Sequence, residues 1–344
     1  MNKTTKLVIG TFILVAIIFL GSGEIDQRTF VNITVPGSGE TRGEVGGIKG
    51  VYLNSRAVTK TNTKDWIRKL KSHGFNSVVI DVKNVSGEIT YNSEVNLAKE
   101  LGSASGRLDL REIVSEFQTE GIYVIARLTC FKDRIMANRC CGGGEWVYPS
   151  NKQAQQYNIE LAREAAELGF DEVQLDYIRY SDEQGNIGGD YRERSKVIAN
   201  FVQQVKESIP SHVKLSLDVY GRTMWKWNSK NIDPIGQNLD YLEKHADFMS
   251  PMIYPSHYQD PDLVYNPDKL VELVMGIGRE RLTVPLRPFI QGFDRAMPSG
   301  VDLVNYISLE LETLERLGVE DYLVWNPKSN YDSLWRALEH IPQV

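Results

Sequence analysis

The chain has few of the residues that announce metal or thiol chemistry. Its 344 residues include three cysteines (Cys130, Cys140 and Cys141) and five histidines. No two cysteines have metal-finger spacing, and sequence neighbours such as Cys140 and Cys141 rarely bridge each other because of strain. A Cys130–Cys140 bridge, a Cys130–Cys141 bridge and free thiols stay open as alternatives. His73, His212, His245, His257 and His340 are scattered, and none falls in an H-x-x-E-H pattern. No catalytic zinc site and no other cofactor is expected. A G-x-S-x-G elbow is missing, which counts against a Ser-His-Asp hydrolase. There is no run of Lys or Arg, and 39 basic against 45 acidic residues leave a net charge of −6. Such a chain has no broad attraction for nucleic acid.

Long apolar runs are confined to the start. In "MNKTTKLVIGTFILVAIIFLGSGE", Lys3 and Lys6 precede an apolar stretch from Leu7 to Gly21. This is the layout of a signal peptide or signal-anchor, so residues 1–21 are expected to export the rest or tether it to a membrane. Residues 22–47 are rich in Gly, Ser, Thr and Glu and read as a flexible linker. The domain at 48–344 is expected outside the cytoplasm, as a monomer.

Within that domain, short apolar runs alternate with amphipathic stretches. Strands are expected at 48–54, 77–84, 122–131, 171–180, 213–221, 247–255, 281–290 and 321–327. Helices are expected at 63–74, 109–120, 152–168, 191–208, 267–278, 301–317 and 331–340, with a short one near 238–245. Eight β-then-α units predict a (β/α)8 TIM barrel. A doubly wound sheet is the rival fold. The first strand is followed by "LNSRAVTKTN", which has no glycine, and this argues against a nucleotide-binding version.

The strands carry polar residues where a buried strand should not. Alternate residues of a barrel strand point to the axis, and barrel active sites use the C-terminal strand ends. In "GFDEVQLDYIRY", that rule sends Gln174 and Asp176 inward and Val173, Leu175 and Tyr177 towards the helices. It pairs Asp81 with Lys83 on the second strand and Ser216 with Asp218 on the fifth. Arg127, Tyr254, Arg287, Trp325 and Asn326 lie at other strand ends, with His257 close behind Tyr254. Arg179 is a rim residue of opposite parity to Asp176. Each has an ordinary structural reading as a helix cap, loop anchor or ion-pair partner. Together they place three carboxylates among cations and aromatics at one mouth, and burying so much charge without use is costly.

Asp176 and Asp218 sit at corresponding depth on neighbouring strands. Two carboxyls about 5–5.5 Å apart suit a retaining glycosidase, whereas a wider pair such as Asp81 with Asp176 would suit inversion. Mutual repulsion raises the pKa of one and keeps it protonated for acid duty.

Four segments, "VVIDVKNVSGEITY" (78–91), "IYVIARLTCFKD" (122–133), "YNIELAREAAELGFDEVQLDYIRY" (157–180) and "DFMSPMIYPSHY" (247–258), resemble the bacterial putative glycosyl hydrolase domain family. It comprises extracytoplasmic (β/α)8 domains distantly similar to amylase-type glycosidases. The resemblance implies a barrel that acts on, or binds, a polysaccharide. By analogy with amylase-like barrels it makes Asp176 the nucleophile. Asp218 becomes the acid/base and Asp81 an auxiliary carboxylate. Lys83, Arg127, Gln174, Arg179, Tyr254, His257, Arg287, Trp325 and Asn326 become substrate contacts. Two departures stand out. The loop after "FKD" is shortened to "RIMANRCCGGGEWVYPS", and the strand-five acid is Asp218 where amylase-type barrels typically have Glu. A carbohydrate-binding barrel without turnover is the alternative function, and an envelope scaffold a third.

Overall fold

A computed structural model describes residues 47–340, apart from 60, 141–142, 183–188 and 296. The expected signal segment at 1–21 and the linker, up to residue 46, lie outside the described residues. Eight parallel strands close into a barrel: β1 (Lys49–Leu53), β2 (Ser77–Lys83), β3 (Tyr123–Thr129), β4 (Glu172–Asp176), β5 (Lys214–Tyr220), β6 (Phe248–Ile253), β7 (Phe289–Gln291) and β8 (Tyr322–Trp325). Each strand pairs with the next, and β1 pairs with both β2 and β8 to complete the ring. The helices around it are α1 (Thr63–Ser72), α2 (Leu110–Thr119), α3 (Lys152–Glu167), α4 (Tyr191–Ser208), α5 (Leu239–Leu242), α6 (Pro267–Arg281), α7 (Leu303–Arg316) and α8 (Asp332–His340). This is the expected TIM barrel. Among the described residues no helix is long and apolar enough to cross a membrane.

Local chemistry sets the helix limits. Asp109, Asn151 and Asp190 cap α2, α3 and α4 with their side chains, and Asp190 with Glu193 forms a capping box. Gly169, at φ +101°, takes the left-handed turn that ends α3 and leads into β4.

The apolar core lies between the barrel and the helices. Outward-facing Val78, Ile80, Val173, Leu175, Leu215, Leu217 and Val324 all belong to it. The inward positions are different. Register places Ser77 beside Tyr123, Asp81 beside Arg127, Arg127 beside Gln174, and Gln174 beside Ser216. TIM-barrel interiors are commonly filled by bulky branched residues, but this one is largely polar.

Three elements depart from the sequence expectation. The seventh strand, expected over 281–290, shrinks to Phe289–Gln291, and α6 extends to Arg281. Pro285 and Pro288 cannot donate to a ladder, so only a single bridge, Leu286 to Met249, precedes the strand. The connection after β2 adds two short strands, Ile89–Tyr91 and Ala104–Leu108, flanking a helix at Asn96–Leu101. The fourth strand stops at Asp176. Tyr177 has φ 53°, a conformation rare for a residue with a Cβ, and so does not continue the inward–outward alternation.

A bulge in β2 redirects Lys83. Asp81 pairs with Arg127, but Lys83 pairs with Leu128, so Val82 is an extra residue in the register. Lys83 therefore points out of the barrel towards α3. Its Nζ donates to Asp133 Oδ2 (2.9 Å), Asn158 Oδ1 (2.8 Å) and the Cys130 carbonyl (3.3 Å). Lys83 is fully buried, and it does not reach the mouth where alternation had placed it. Removing one partner of a buried pair leaves the other charge uncompensated. Lys83→Ala is expected to cost about 3–5 kcal/mol in urea denaturation. An unaltered midpoint would contradict a structural role.

Candidate active site

The C-terminal mouth is organised by Arg127. Its Nε and Nη2 donate to Asp176 Oδ2 at 3.0 and 2.6 Å, and its Nη1 donates to Asp81 Oδ1 at 2.6 Å. Tyr52 completes the group, its hydroxyl donating to Asp81 Oδ2 at 2.5 Å. Trp325 stacks on Tyr52 with centroids 3.8 Å apart, and the guanidinium lies 4.7 Å from the Trp325 ring. Four strands, β1 to β4, thus meet through one cation, and β8 packs on it. Burial alone would lower the Arg127 pKa, but Asp176 and Asp81 outweigh it and hold the guanidinium charged. Burial pushes Asp81 up, against the opposing pull of Arg127 and Tyr52.

Asp176 also accepts from the Tyr177 backbone N–H at 2.6 Å, through Oδ1. The same residue carries the left-handed φ that ends the strand. Backbone strain of this kind persists where surrounding contacts over-determine it.

Asp218 stands apart from this clamp. Register Gln174↔Ser216 and Leu175↔Leu217 sets it level with Asp176, one residue beyond the last pair. It is buried, and Oδ1 has no hydrogen-bond partner among the described residues. Burial first, then the charge of Asp176, pushes its pKa well above the usual carboxylate range. Arg127 and Arg287 offset this only in part. Two neighbouring carboxyls therefore have different surroundings, one held by a guanidinium and one poised to keep its proton.

The rim is aromatic and cationic. Arg179 bonds to Asp182 (2.9 Å), the Tyr180 carbonyl (3.1 Å) and the Tyr220 hydroxyl (2.7 Å). Its guanidinium lies 4.5 Å from both the Trp146 and Tyr220 rings. Tyr254 is buried, and His257 packs edge-on to Tyr220 and Tyr254. The crowded mouth and the Arg179 charge pull His257 down to about 4, although part of its surface stays open to solvent. A recess of about 140 Å³ opens here, lined by Tyr220, Arg222, His257 and Tyr258 among others.

The residues expected from sequence thus fall into three groups. Asp81, Arg127, Asp176, Asp218, Tyr254 and Trp325 are associated at the mouth, with Arg179 and His257 at its rim. Gln174 lies one layer beneath, and both its amide atoms lack partners among the described residues. Three residues are elsewhere. Lys83 faces α3. Arg287 is sealed in the lower barrel, bonded to Glu172. Asn326 shapes the loop after β8, donating to the Gly292 and Asn330 carbonyls at 2.6 and 2.7 Å.

Tyr52, Tyr220, Trp146 and Glu172 are absent from the sequence expectation. The alternation applied to strand four does find Glu172, two residues before Gln174, and the rim aromatics follow strand ends. Cys130 is a free buried thiol, so neither proposed bridge from it forms, while Cys140 is disulfide-bonded. Among the described residues no group of three or more His, Cys, Asp or Glu side chains is arranged to hold a metal ion.

Residues 50–331 match the family model described as a putative glycosyl hydrolase domain. The chain belongs to that family. The barrel is also similar to solved structures. The PgaB (BpsB) glycoside hydrolase domain from Bordetella bronchiseptica is 13% identical over 83% of this chain and 94% of that one, with a TM-score of 0.62. The endo-1,4-β-mannanase from Rhizomucor miehei is 13% identical over 91% and 97%, with a TM-score of 0.58. The endocellulase from Pyrococcus horikoshii is 14% identical over 88% and 93%, with a TM-score of 0.51. At such identities the likeness is one of fold. No curated protein matches the chain.

The upward shift of the Asp218 pKa has a consequence for stability. Its folded pKa is raised, so its contribution is fully present below the unfolded pKa and is lost as pH rises through the folded value. Asn mimics the neutral acid without that loss. Asp218→Asn is expected to leave the melting temperature unchanged near pH 3.5 and to raise it at pH 7 by about 3 °C or more. Scanning calorimetry at the two pH values checks this, and equal shifts at both would refute it.

Proposed function

We propose that the barrel is a glycoside hydrolase that cleaves an extracellular or cell-wall polysaccharide, with Asp218 as proton donor and Asp176 as its partner carboxylate. The observation that carries this reading is the contrast between the two aspartates. Asp218 is buried, without a hydrogen-bond partner at Oδ1 among the described residues, and biased towards its acid form. Asp176 is fixed by Arg127 and the Tyr177 N–H. Glycoside cleavage needs that division of labour. The Asp218 O–H gives its proton to the glycosidic oxygen, and the bond from that oxygen to the anomeric carbon breaks. Asp176 faces the developing oxocarbenium charge, as nucleophile or as stabiliser. Water then adds to the anomeric carbon and loses a proton to a carboxylate.

Family membership supports a polysaccharide substrate, and the rim aromatics supply faces on which sugar rings can stack. Lys3, Lys6 and the apolar run behind them support export or tethering by the N-terminus, with the barrel outside and acting as a monomer. One observation favours a second reading, binding without turnover. Both oxygens of Asp176 already accept hydrogen bonds, which leaves it less free to attack carbon.

The test is reducing-end release from a panel of polysaccharides. Asp218→Asn and Asp176→Asn are each expected to lower kcat/KM by a factor of about 10² or more. An aryl glycoside with a good leaving group should recover much of the Asp218→Asn loss and little of the Asp176→Asn loss. Full activity in Asp176→Asn would remove it from the mechanism. Glycan binding with no new reducing ends would favour the silent barrel.

A further inference from the structure

Three inward side chains stand beside one another across β5, β6 and the segment before β7. Asp218 is the register partner of Ser250. The bridge from Met249 to Leu286, with the later pair Met252 and Phe289, sets Ser250 opposite Arg287. Asp218 is 2% exposed, and Ser250 and Arg287 are fully buried. Each has a polar atom with no hydrogen-bond partner among the described residues: Asp218 Oδ1, Ser250 Oγ, and Arg287 Nε and Nη1. Buried polar groups are seldom left unmet, and three adjacent ones require a common explanation.

The atoms themselves indicate what satisfies them. Arg287 offers only donors, an ionised Asp218 only acceptors, and Ser250 either. Ser250 lies between the other two, roughly 5 Å in strand spacing from each, so one molecule beside its hydroxyl can bridge from Asp218 to the long Arg287 side chain. A metal cation would face the Arg287 charge. An anion would face Asp218 and Glu172. Water donates and accepts at once and meets two to four partners in sites of this kind.

We propose that Ser250 and Arg287 hold a buried water against Asp218 Oδ1, and so act as positioning residues for the proton donor. The inference deepens the hydrolase reading and rests on its assignment of Asp218. Arg287 N–H donates to the water oxygen, the water donates to Asp218 Oδ1, and Ser250 fixes the water sideways. Asp218 is thereby tied to the buried Glu172–Arg287 pair, which Ser216 and Tyr123 also bond. The groups facing Asp218 are Asp176 and Glu172 from β4, Arg127 from β3, Arg287 from the segment before β7, Tyr254 after β6 and Cys130 after β3. Against the acidic members of this set, a donated hydrogen bond favours the carboxylate form. It keeps the Asp218 proton transferable.

Ser250→Ala in the full chain is the test, with Ser250→Thr as the variant that keeps the hydroxyl. Two measurements are made on each: the pH profile of kcat/KM and a carbon-13 NMR titration of the Asp218 carboxyl. In Ser250→Ala both are expected to move to higher pH. On the alkaline side the rate, relative to its own optimum, should exceed that of the wild type by about three- to tenfold. Ser250→Thr should return both towards wild type. A crystal structure should show an ordered water within hydrogen-bond distance of Asp218, Ser250 and Arg287. An unmoved carboxyl titration in Ser250→Ala, or a direct Arg287–Asp218 bond in the crystal, overturns the proposal. The NMR titration needs no turnover, so it tests the water even if the chain hydrolyses nothing. Loss of the alkaline limb in Asp218→Asn tests the acid assignment separately.

Discussion

One guanidinium holds the mouth of this barrel together. Arg127 ties β3 to the carboxylates of β2 and β4 and packs against the stacked rings of Tyr52 and Trp325 from β1 and β8. Burying an arginine is expensive, and the cost is offset here by two carboxylates with good geometry. Everything nearby follows from its position. Asp176 is turned so that the Tyr177 N–H can close on it, and Asp218, out of reach of the clamp, is left with burial and a charged neighbour. The difference between the two aspartates is a by-product of where a single cation can reach.

The interior beneath is a second polar layer, built round Glu172 and Arg287. Small residues such as Gly50, Ser77, Ser216 and Ser250 alternate with large ones such as Tyr123 and Phe248 along the inward positions. Hydrophobic stabilisation therefore comes from the outer shell between strands and helices. The axis is given over to hydrogen bonding. This separation lets the site sit on a charged platform while the core around it remains apolar.

Much of this was legible in the sequence, because alternation and helical period are local properties. The positions of seven of the eight strands, most helix limits and the inward direction of Gln174, Asp176 and Asp218 follow from it. What was not legible depended on interruptions of the period. Pro285 and Pro288 shortened β7, the extra residue Val82 turned Lys83 outward, and the left-handed Tyr177 ended β4 early. Arg287 was misplaced because depth along a barrel strand depends on stagger between strands, which one strand cannot reveal. Asn326 was assigned to the site by its place at a strand end, yet its amide is used up on loop carbonyls.

The bulge at Val82 also sets the charge balance on the floor of the mouth. On an unbroken strand, Lys83 would follow Asp81 inward and stand as a second cation beside Arg127. Diverted to Asp133, it leaves Asp81 and Asp176 sharing the single guanidinium of Arg127. One inserted residue, remote from the paired aspartates, thus keeps a second cation away from Arg127.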